Sequence, residues 1–326
     1  MTASATPSES AAAVPRLRIR GTFLDEISHD IPHQNWGRAE WARDFGHMAR
    51  AGIDTVILIR CGYRRWQTFP SRVLMEREQA FRPPLDLVRM FLELSEQHGF
   101  AFYFGLYDSG TYWTAGRHAE EVELNRRVID EAWRTYGAMP AFKGWYLCQE
   151  CSRATGRSID LYAALGRHCK EVSGGLPTLI SPYIDGVKNL DQNDPRVSRG
   201  AGAITPQQHE REWNDIFAGI RGAVDAVAFQ DGHVDYSELP DFLRLHKRLA
   251  DRHGLACWTN TETFDRDMPI KFLPIKWEKL LLKLRLAAAA GIDRAITFEF
   301  SHFMSPQSAY PQAGHLYNRY LEYLDD

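Results

Sequence analysis

Apolar and polar positions along the chain recur as a two-part unit: a short apolar run, then a longer stretch with apolar residues every three or four positions. Residues 55–60 are β-branched with no polar interruption, as expected of a parallel strand covered on both faces. In the preceding stretch, Trp41, Phe45 and Met48 recur at helical spacing and mark the core face of a helix. The unit repeats eight times. The predicted strands are 17–25, 55–60, 101–107, 142–149, 178–184, 226–230, 256–261 and 295–300. The predicted helices are 39–51, 85–98, 120–136, 160–172, 206–220, 239–253, 275–290 and 314–323. Gly52, Gly99, Gly254 and Gly291 each close a helix just before a strand, which is a structural role.

Strand–helix alternation with right-handed crossovers yields a doubly wound sheet or a closed barrel. Eight units of about 35 residues favour the barrel. A doubly wound nucleotide fold also wants a glycine-rich turn after its first strand, where this chain reads Asp25-Glu26-Ile27-Ser28-His29. The expected fold is a single-domain α/β (β/α)8 TIM barrel over 17–326, preceded by a disordered tail over 1–16. The 326 residues accommodate one such barrel with enlarged loops, and no linker-like stretch divides them. The longest of those loops are 62–82 and 185–205.

Composition adds exclusions. The net charge of −3 with interspersed signs and no basic block argues against nucleic acid as a partner. No apolar stretch reaches the length of a membrane span. The first 16 residues lack the basic and apolar regions of a secretory signal, and the five cysteines have no framework spacing. A cytoplasmic location is therefore expected. Cys148 and Cys151 straddle a strand end with Glu150 between them, so packing explains them better than redox chemistry. Aromatic residues are in excess, many in predicted loops, which suggests a site that stacks on something flat and partly apolar.

In such a barrel the reacting groups sit at strand carboxyl ends and in the loops that follow. Those positions hold Asp25 and Glu26, Arg60, Asp108, Gln149 and Glu150, Asp185, Gln230 and Asp231, Glu262, and Glu299 with His302. Carboxylates dominate. There is no His-x-His pair on the first strand for an amidohydrolase-type metal site and no lysine on the late strands for a Schiff base. The last two loops lack glycines for a phosphate, and no three-cysteine cluster exists for radical chemistry. His29, Asp30 and His33 lie close together, but a substrate-lining loop is a better reading than a metal site. No cofactor is expected. Cleavage of a glycosidic bond remains, because it needs two carboxyl groups and nothing else. The best pair is Glu150, ending the fourth strand, and Glu262, ending the seventh. Glu299 is the substitute for the second. The structural alternatives are a salt bridge from Glu150 to Arg153 or Arg157, and from Glu262 to Arg266 or Lys271.

Glu150 ending the fourth strand after Gln149, together with Glu262 ending the seventh, resembles the clan of retaining β-glycosidases built on TIM barrels. In that clan the glutamate after strand four is the acid/base and the glutamate after strand seven the nucleophile. The resemblance implies those roles for Glu150 and Glu262. It also implies that Gln149 stands where an asparagine usually binds the sugar 2-hydroxyl. More closely, over the span from Gly21 to about Tyr323, the stretches Gly21–Asp25, Trp41 with the segment 48–57, and Gly144-Trp145-Tyr146 running into Glu150 are similar to a bacterial family of glycosidase-like barrels known as a domain of unknown function.

The expected partner is a carbohydrate substrate, an oligo- or polysaccharide. Asp25, Arg60, Asp108, Gln149, Gln230, Asn260, Glu299 and His302 would bind hydroxyls, with Arg60 holding Glu262 ionised. Tyr107, Tyr183 and Trp258 would stack on sugar faces, along with Tyr63, Trp66, Tyr112, Trp113, Tyr236 and Phe303. The alternatives are a non-catalytic carbohydrate-binding barrel, a transglycosidase, and a cofactor-free lyase or isomerase using Glu299 and His302.

Overall fold

The computed structural model describes residues 16–28, 31, 34–153, 157–189, 203–267 and 272–325. The expected roles of His29, Asp30, His33 and Lys271 fall outside them, as does the expected disordered tail of 1–16 except for Arg16, which donates to Tyr323 O at 3.2 Å.

Eight parallel strands close into a barrel: β1 Ile19–Leu24, β2 Thr55–Leu58, β3 Ala101–Gly105, β4 Phe142–Leu147, β5 Thr178–Ile180, β6 Ala226–Gln230, β7 Ala256–Asn260 and β8 Ala295–Thr297. Each pairs with its neighbours in sequence, and β8 closes on β1 through Thr22 opposite Thr297. The fold is the expected (β/α)8 barrel. Its outer ring comprises α1 Arg38–Arg50, α2 Leu87–His98, α3 His118–Tyr136, α4 Ser158–Ser173, α5 Pro206–Gly219, α6 Leu239–His253, α7 Trp277–Ala289 and α8 Pro311–Asp325. No described helix is long and apolar enough to cross a membrane.

Local chemistry sets several ends. Thr205 caps α5 by accepting from Gln208 N at 3.2 Å, ahead of Pro206. Gly254 ends α6 at φ 72°, a left-handed turn that disfavours any residue with a Cβ. Trp41 and Phe45 of α1 are fully buried against Phe91 of α2, with ring centroids 4.8 and 6.2 Å apart. Asp44, on the same helix, is also buried and accepts from the hydroxyls of Ser301 (2.8 Å) and Ser305, pinning the segment after β8.

All the strands but β6 are shorter than their apolar runs suggest, and three of the differences bear on the site. The run 101–107 leaves the barrel at Leu106, and Tyr107–Asp108 pairs instead with Gly62–Tyr63, itself paired with Trp66–Gln67. The run 178–184 stops at Ile180, and the run 295–300 turns into the short helix Phe300–Phe303. The 62–82 loop thus carries a hairpin and the helix Arg72–Arg77. Inside the barrel, Phe23 of β1 meets Tyr146 of β4 across the axis at 5.1 Å, and Tyr103 of β3 meets Trp258 of β7 at 6.4 Å. The barrel is filled by layers of side chains and is not a pore.

Candidate active site

At the carboxyl end of the barrel a cavity of about 240 Å³ is lined by Arg60, Glu150, Tyr183, Gln230, Asn260 and Glu262, all expected from their strand-end positions. Phe23, Ser28, Ile31, Ile59, His233, Phe264, Arg266, Phe272 and Phe298 complete the lining. The glutamates after β4 and β7 therefore face one space.

Glu262 is buried and fixed at every polar atom. Arg266, four residues on, donates from Nε to Oε2 at 2.7 Å and from an η-nitrogen to Oε1 at 2.8 Å. Burial alone would raise the Glu262 pKa, but the Arg266 charge and its two hydrogen bonds outweigh it and hold the carboxyl below its usual range. The backbone is anchored too. Asp231 accepts from Glu262 N at 3.1 Å, while Lys283 Nζ of α7 donates to Asp231 at 2.7 Å and to Glu262 O at 3.2 Å. Gly232 passes so close that a Cβ there would lie 1.6 Å from Glu262 Oε2. Only glycine fits between backbone and carboxylate.

Arg60 does not hold Glu262. Its guanidinium donates to Ser28 Oγ at 2.9 Å, lies 3.5 Å from Asp108 and 4.0 Å from Glu150, and rests over the Tyr63 ring. The reason is position: Arg60 follows β2, on the Glu150 side, whereas Arg266 shares the loop of Glu262. Neither proposed structural partner holds Glu150, since Arg153 pairs with Glu212 and Asp185, and Arg157 with Asp160.

His233 is half-buried, with Tyr183 edge-on at 5.4 Å between centroids. Burial, reinforced by the Arg266 charge, lowers its pKa to about 4, so the ring is neutral at pH 7. Gln230 donates to Ser181 O at 2.8 Å and Asn260 to Ser181 Oγ at 3.0 Å, which fixes both amides on the β5 side.

Thirteen expected substrate contacts do not line this cavity, among them the aromatic residues Tyr63, Trp66, Tyr112, Trp113, Tyr236 and Phe303. Gln149 points outward and donates to Tyr107 O and Glu121 Oε1 at 2.9 Å, because successive residues at a strand end face opposite ways and Glu150 takes the inward position. Tyr107 has left the barrel, and its hydroxyl donates to Arg64 O at 2.7 Å. Asp108 is held by Trp113 Nε1 at 2.9 Å and Gly110 N at 2.8 Å, and reaches the site only through Arg60. Asp25 caps its own turn, accepting from Ile27 N and Ser28 N.

Trp258 lies two residues below Asn260 on the same strand face. It lines a separate cavity with Ala256, Asp293 and Arg294, at the amino end of the barrel. Glu299 is fully buried and accepts from Ser301 N at 3.0 Å, His302 N at 2.5 Å and His302 Nδ1 at 2.6 Å. This carboxylate fixes the turn after β8, so Glu262 rather than Glu299 faces the cavity. His302 is spent on the same pair. Burial works against its charge, yet the Glu299 carboxylate raises its pKa to about 9.

Arg266, His233 and Gly232 were not anticipated as parts of the site. Arg266 was visible only as a structural partner of Glu262, and nothing local in Asp231-Gly232-His233 marks the close approach. The five cysteines are all buried and free, as packing residues are. Among the described residues no His, Cys, Asp or Glu group could hold a metal ion.

The family described as a domain of unknown function (DUF4434) matches residues 19–310. A crystal structure from Bacteroides thetaiotaomicron VPI-5482, provisionally named an alpha-L-fucosidase, is 56% identical with a TM-score of 0.90, covering 100% of this chain and 99% of its own. An endo-1,4-beta-D-mannanase from Thermotoga petrophila RKU-1 is 12% identical with a TM-score of 0.53, covering 94% of this chain and 99% of its own. A second mannanase structure from Thermotoga petrophila is 12% identical with a TM-score of 0.54, covering 95% and 77%. At that identity the likeness concerns the fold, which is that of glycosidase barrels. No curated protein matches the chain significantly.

Proposed function

The chain belongs to the DUF4434 family, and from that premise we propose that it is a retaining glycoside hydrolase in which Glu262 is the nucleophile and Glu150 the acid/base. The observation that carries this reading is the cavity shared by the two glutamates. The name given to the 56%-identical Bacteroides protein, an alpha-L-fucosidase, supports a sugar substrate and makes fucosides the first to try.

The chemistry requires one ionised and one protonated carboxyl group. Arg266 keeps Glu262 ionised. Its two hydrogen bonds use two of about four lone-pair sites on the carboxylate, which leaves a lone pair for the anomeric carbon. In the first step a Glu262 oxygen bonds to that carbon while the bond to the leaving oxygen breaks, and Glu150 passes its proton to that oxygen. In the second, Glu150 takes a proton from water, the water oxygen bonds to the anomeric carbon, and the ester to Glu262 breaks. The acid is then restored.

The Arg266 grip also favours one alternative, a carbohydrate-binding barrel without turnover, since a clamped carboxylate is a weaker nucleophile. One experiment separates them. The protein is incubated with 4-nitrophenyl α-L-fucoside, β-D-mannoside and β-D-galactoside. The sugar that is turned over is then supplied as its 2-deoxy-2-fluoro glycosyl fluoride, and the labelled peptide is identified by mass spectrometry. The expected label is on Glu262. A label elsewhere, an inverted first product, or no turnover of any glycoside sinks the assignment.

A further inference from the structure

Beside the Glu150–Glu262 cavity runs a larger groove of about 550 Å³, and the two share Ser28 as a common wall. Trp36, Tyr63, Trp66 and Phe81 line it, with Glu26 and Arg64 among its polar groups. Among the described residues four large hydrophobic side chains are strongly exposed, and three of them, Trp66 (59%), Phe81 and Leu85, line this groove. Scattered single apolar residues are ordinary on a surface, but a cluster of them in one groove marks a binding face.

The platform is rigid. Trp66 lies in the hairpin with Gly62–Tyr63, and Phe81 is tied to it by Phe81 N donating to Arg65 O at 2.8 Å and Gln67 Nε2 donating to Phe81 O at 2.9 Å. The Trp66 and Phe81 rings stand 5.0 Å apart, and the Arg65 guanidinium covers Phe81 at 4.3 Å. Trp36 is braced edge-on by Trp41 at 5.1 Å. A ligand that stacks here meets ring faces already in place and loses little freedom in ordering them.

The occupant follows from the chemistry of the walls and from continuity with the cavity. The walls combine the aromatic side chains with polar ones such as Glu26, Asn35 and Gln67, as a ligand with C–H faces and hydroxyl edges requires. Tyr63 connects the two spaces, because its ring supports the Arg60 guanidinium that lies against Glu150. The inner cavity, at about 240 Å³, is small beside the roughly 300–1,000 Å³ of drug-sized sites, so it takes a single sugar ring. We propose that the enzyme acts on the end of an oligosaccharide, with the terminal ring between Glu150 and Glu262 and the next one or two rings in this groove, stacked on Trp66. The proposal rests on the hydrolase reading of the inner cavity.

The test measures binding, so it does not depend on turnover. Glu150→Gln protein is titrated by calorimetry with L-fucose and 2′-fucosyllactose, and with mannose, mannobiose and mannotriose. Within one series the longer sugar is expected to bind at least about tenfold more tightly than the monosaccharide. Adding Trp66→Ala should abolish that gain, and Trp66→Phe should restore most of it. Trp66 is exposed, so a melt followed by circular dichroism should show the variants folded. Affinity independent of length, an unchanged gain in Trp66→Ala, or no saccharide bound at all overturns the groove. Cleavage of 4-nitrophenyl monosaccharides without any length effect would overturn the groove alone. Trp66-dependent binding with no cleavage of any glycoside would overturn the hydrolase reading and leave the groove as the saccharide site of an idle barrel.

Discussion

Arg266 grips both carboxylate oxygens of Glu262 from four residues further along the same loop, at 2.7 and 2.8 Å, and both groups face the cavity that also holds Glu150. The pair supplies the counter-charge that a buried carboxylate needs. It has a consequence that a purely structural ion pair would not have. In Arg266→Gln, burial is no longer opposed and the Glu262 pKa rises. The acid limb of the kcat/KM profile should move to higher pH by about one to three units. Arg266→Lys should recover part of that shift but not the two-pronged geometry. A profile whose acid limb stays in place would detach Arg266 from the chemistry.

Glu150 as the acid/base implies a dependence on leaving group. Glu150→Gln cannot donate the proton, so cleavage of an unactivated oligosaccharide should fall by about 10²–10⁴. A 4-nitrophenyl glycoside, whose leaving group needs little protonation, should lose far less in bond cleavage. Equal losses on both substrates would argue that Glu150 serves binding instead.

Gly232 tests the packing beneath the Glu262 carboxylate. A methyl group there would meet Glu262 Oε2 at 1.6 Å and Arg266 Nε at 2.5 Å. Gly232→Ala must push the carboxylate out of its clamp. Turnover should drop at least tenfold, while stability falls by only about 1–3 kcal/mol, as for other overpacked sites. Steady-state rates and a denaturant melt on the same sample check both halves.

The buried Glu299–His302 pair predicts a pH dependence of stability rather than of rate. The folded state raises the His302 pKa to about 9 from its ordinary 6.5, so it keeps a proton that the unfolded chain releases. That stabilisation is whole below pH 6.5 and is lost as pH rises through about 9. It amounts to about 3 kcal/mol. The Tm difference between wild type and His302→Asn should be largest near pH 6 and shrink towards pH 9. Parallel Tm curves across that window would remove His302 as their cause.

Much of this was legible in the pattern of residues. The run 226–230 and the helix 239–253 form with the bounds their apolar spacing suggests, because both are set by local periodicity and, for the helix, by Gly254. Glu150 and Glu262 stand where the strand ends put them. The losses are also instructive. Tyr107 belongs to an apolar run, yet a hairpin partner distant in sequence draws it off the barrel. Trp258 has the right face but sits one layer too deep. Gln149 has the right depth but the wrong face.

The order of amino acids by itself determined the architecture and the list of groups at the carboxyl end of the barrel, because repeating periodicities and helix-ending glycines act over a few residues and need no distant partner. The tertiary structure alone decided which of those groups share a cavity. Whether a side chain past the last paired residue turns inward, and whether Arg60 or Arg266 reaches Glu262, depends on how the strands register around the closed barrel and on how closely Gly232 lets its loop approach. Apart from the Arg266–Glu262 pair, four residues apart, those are distances between segments far apart in the chain, and no local pattern encodes them.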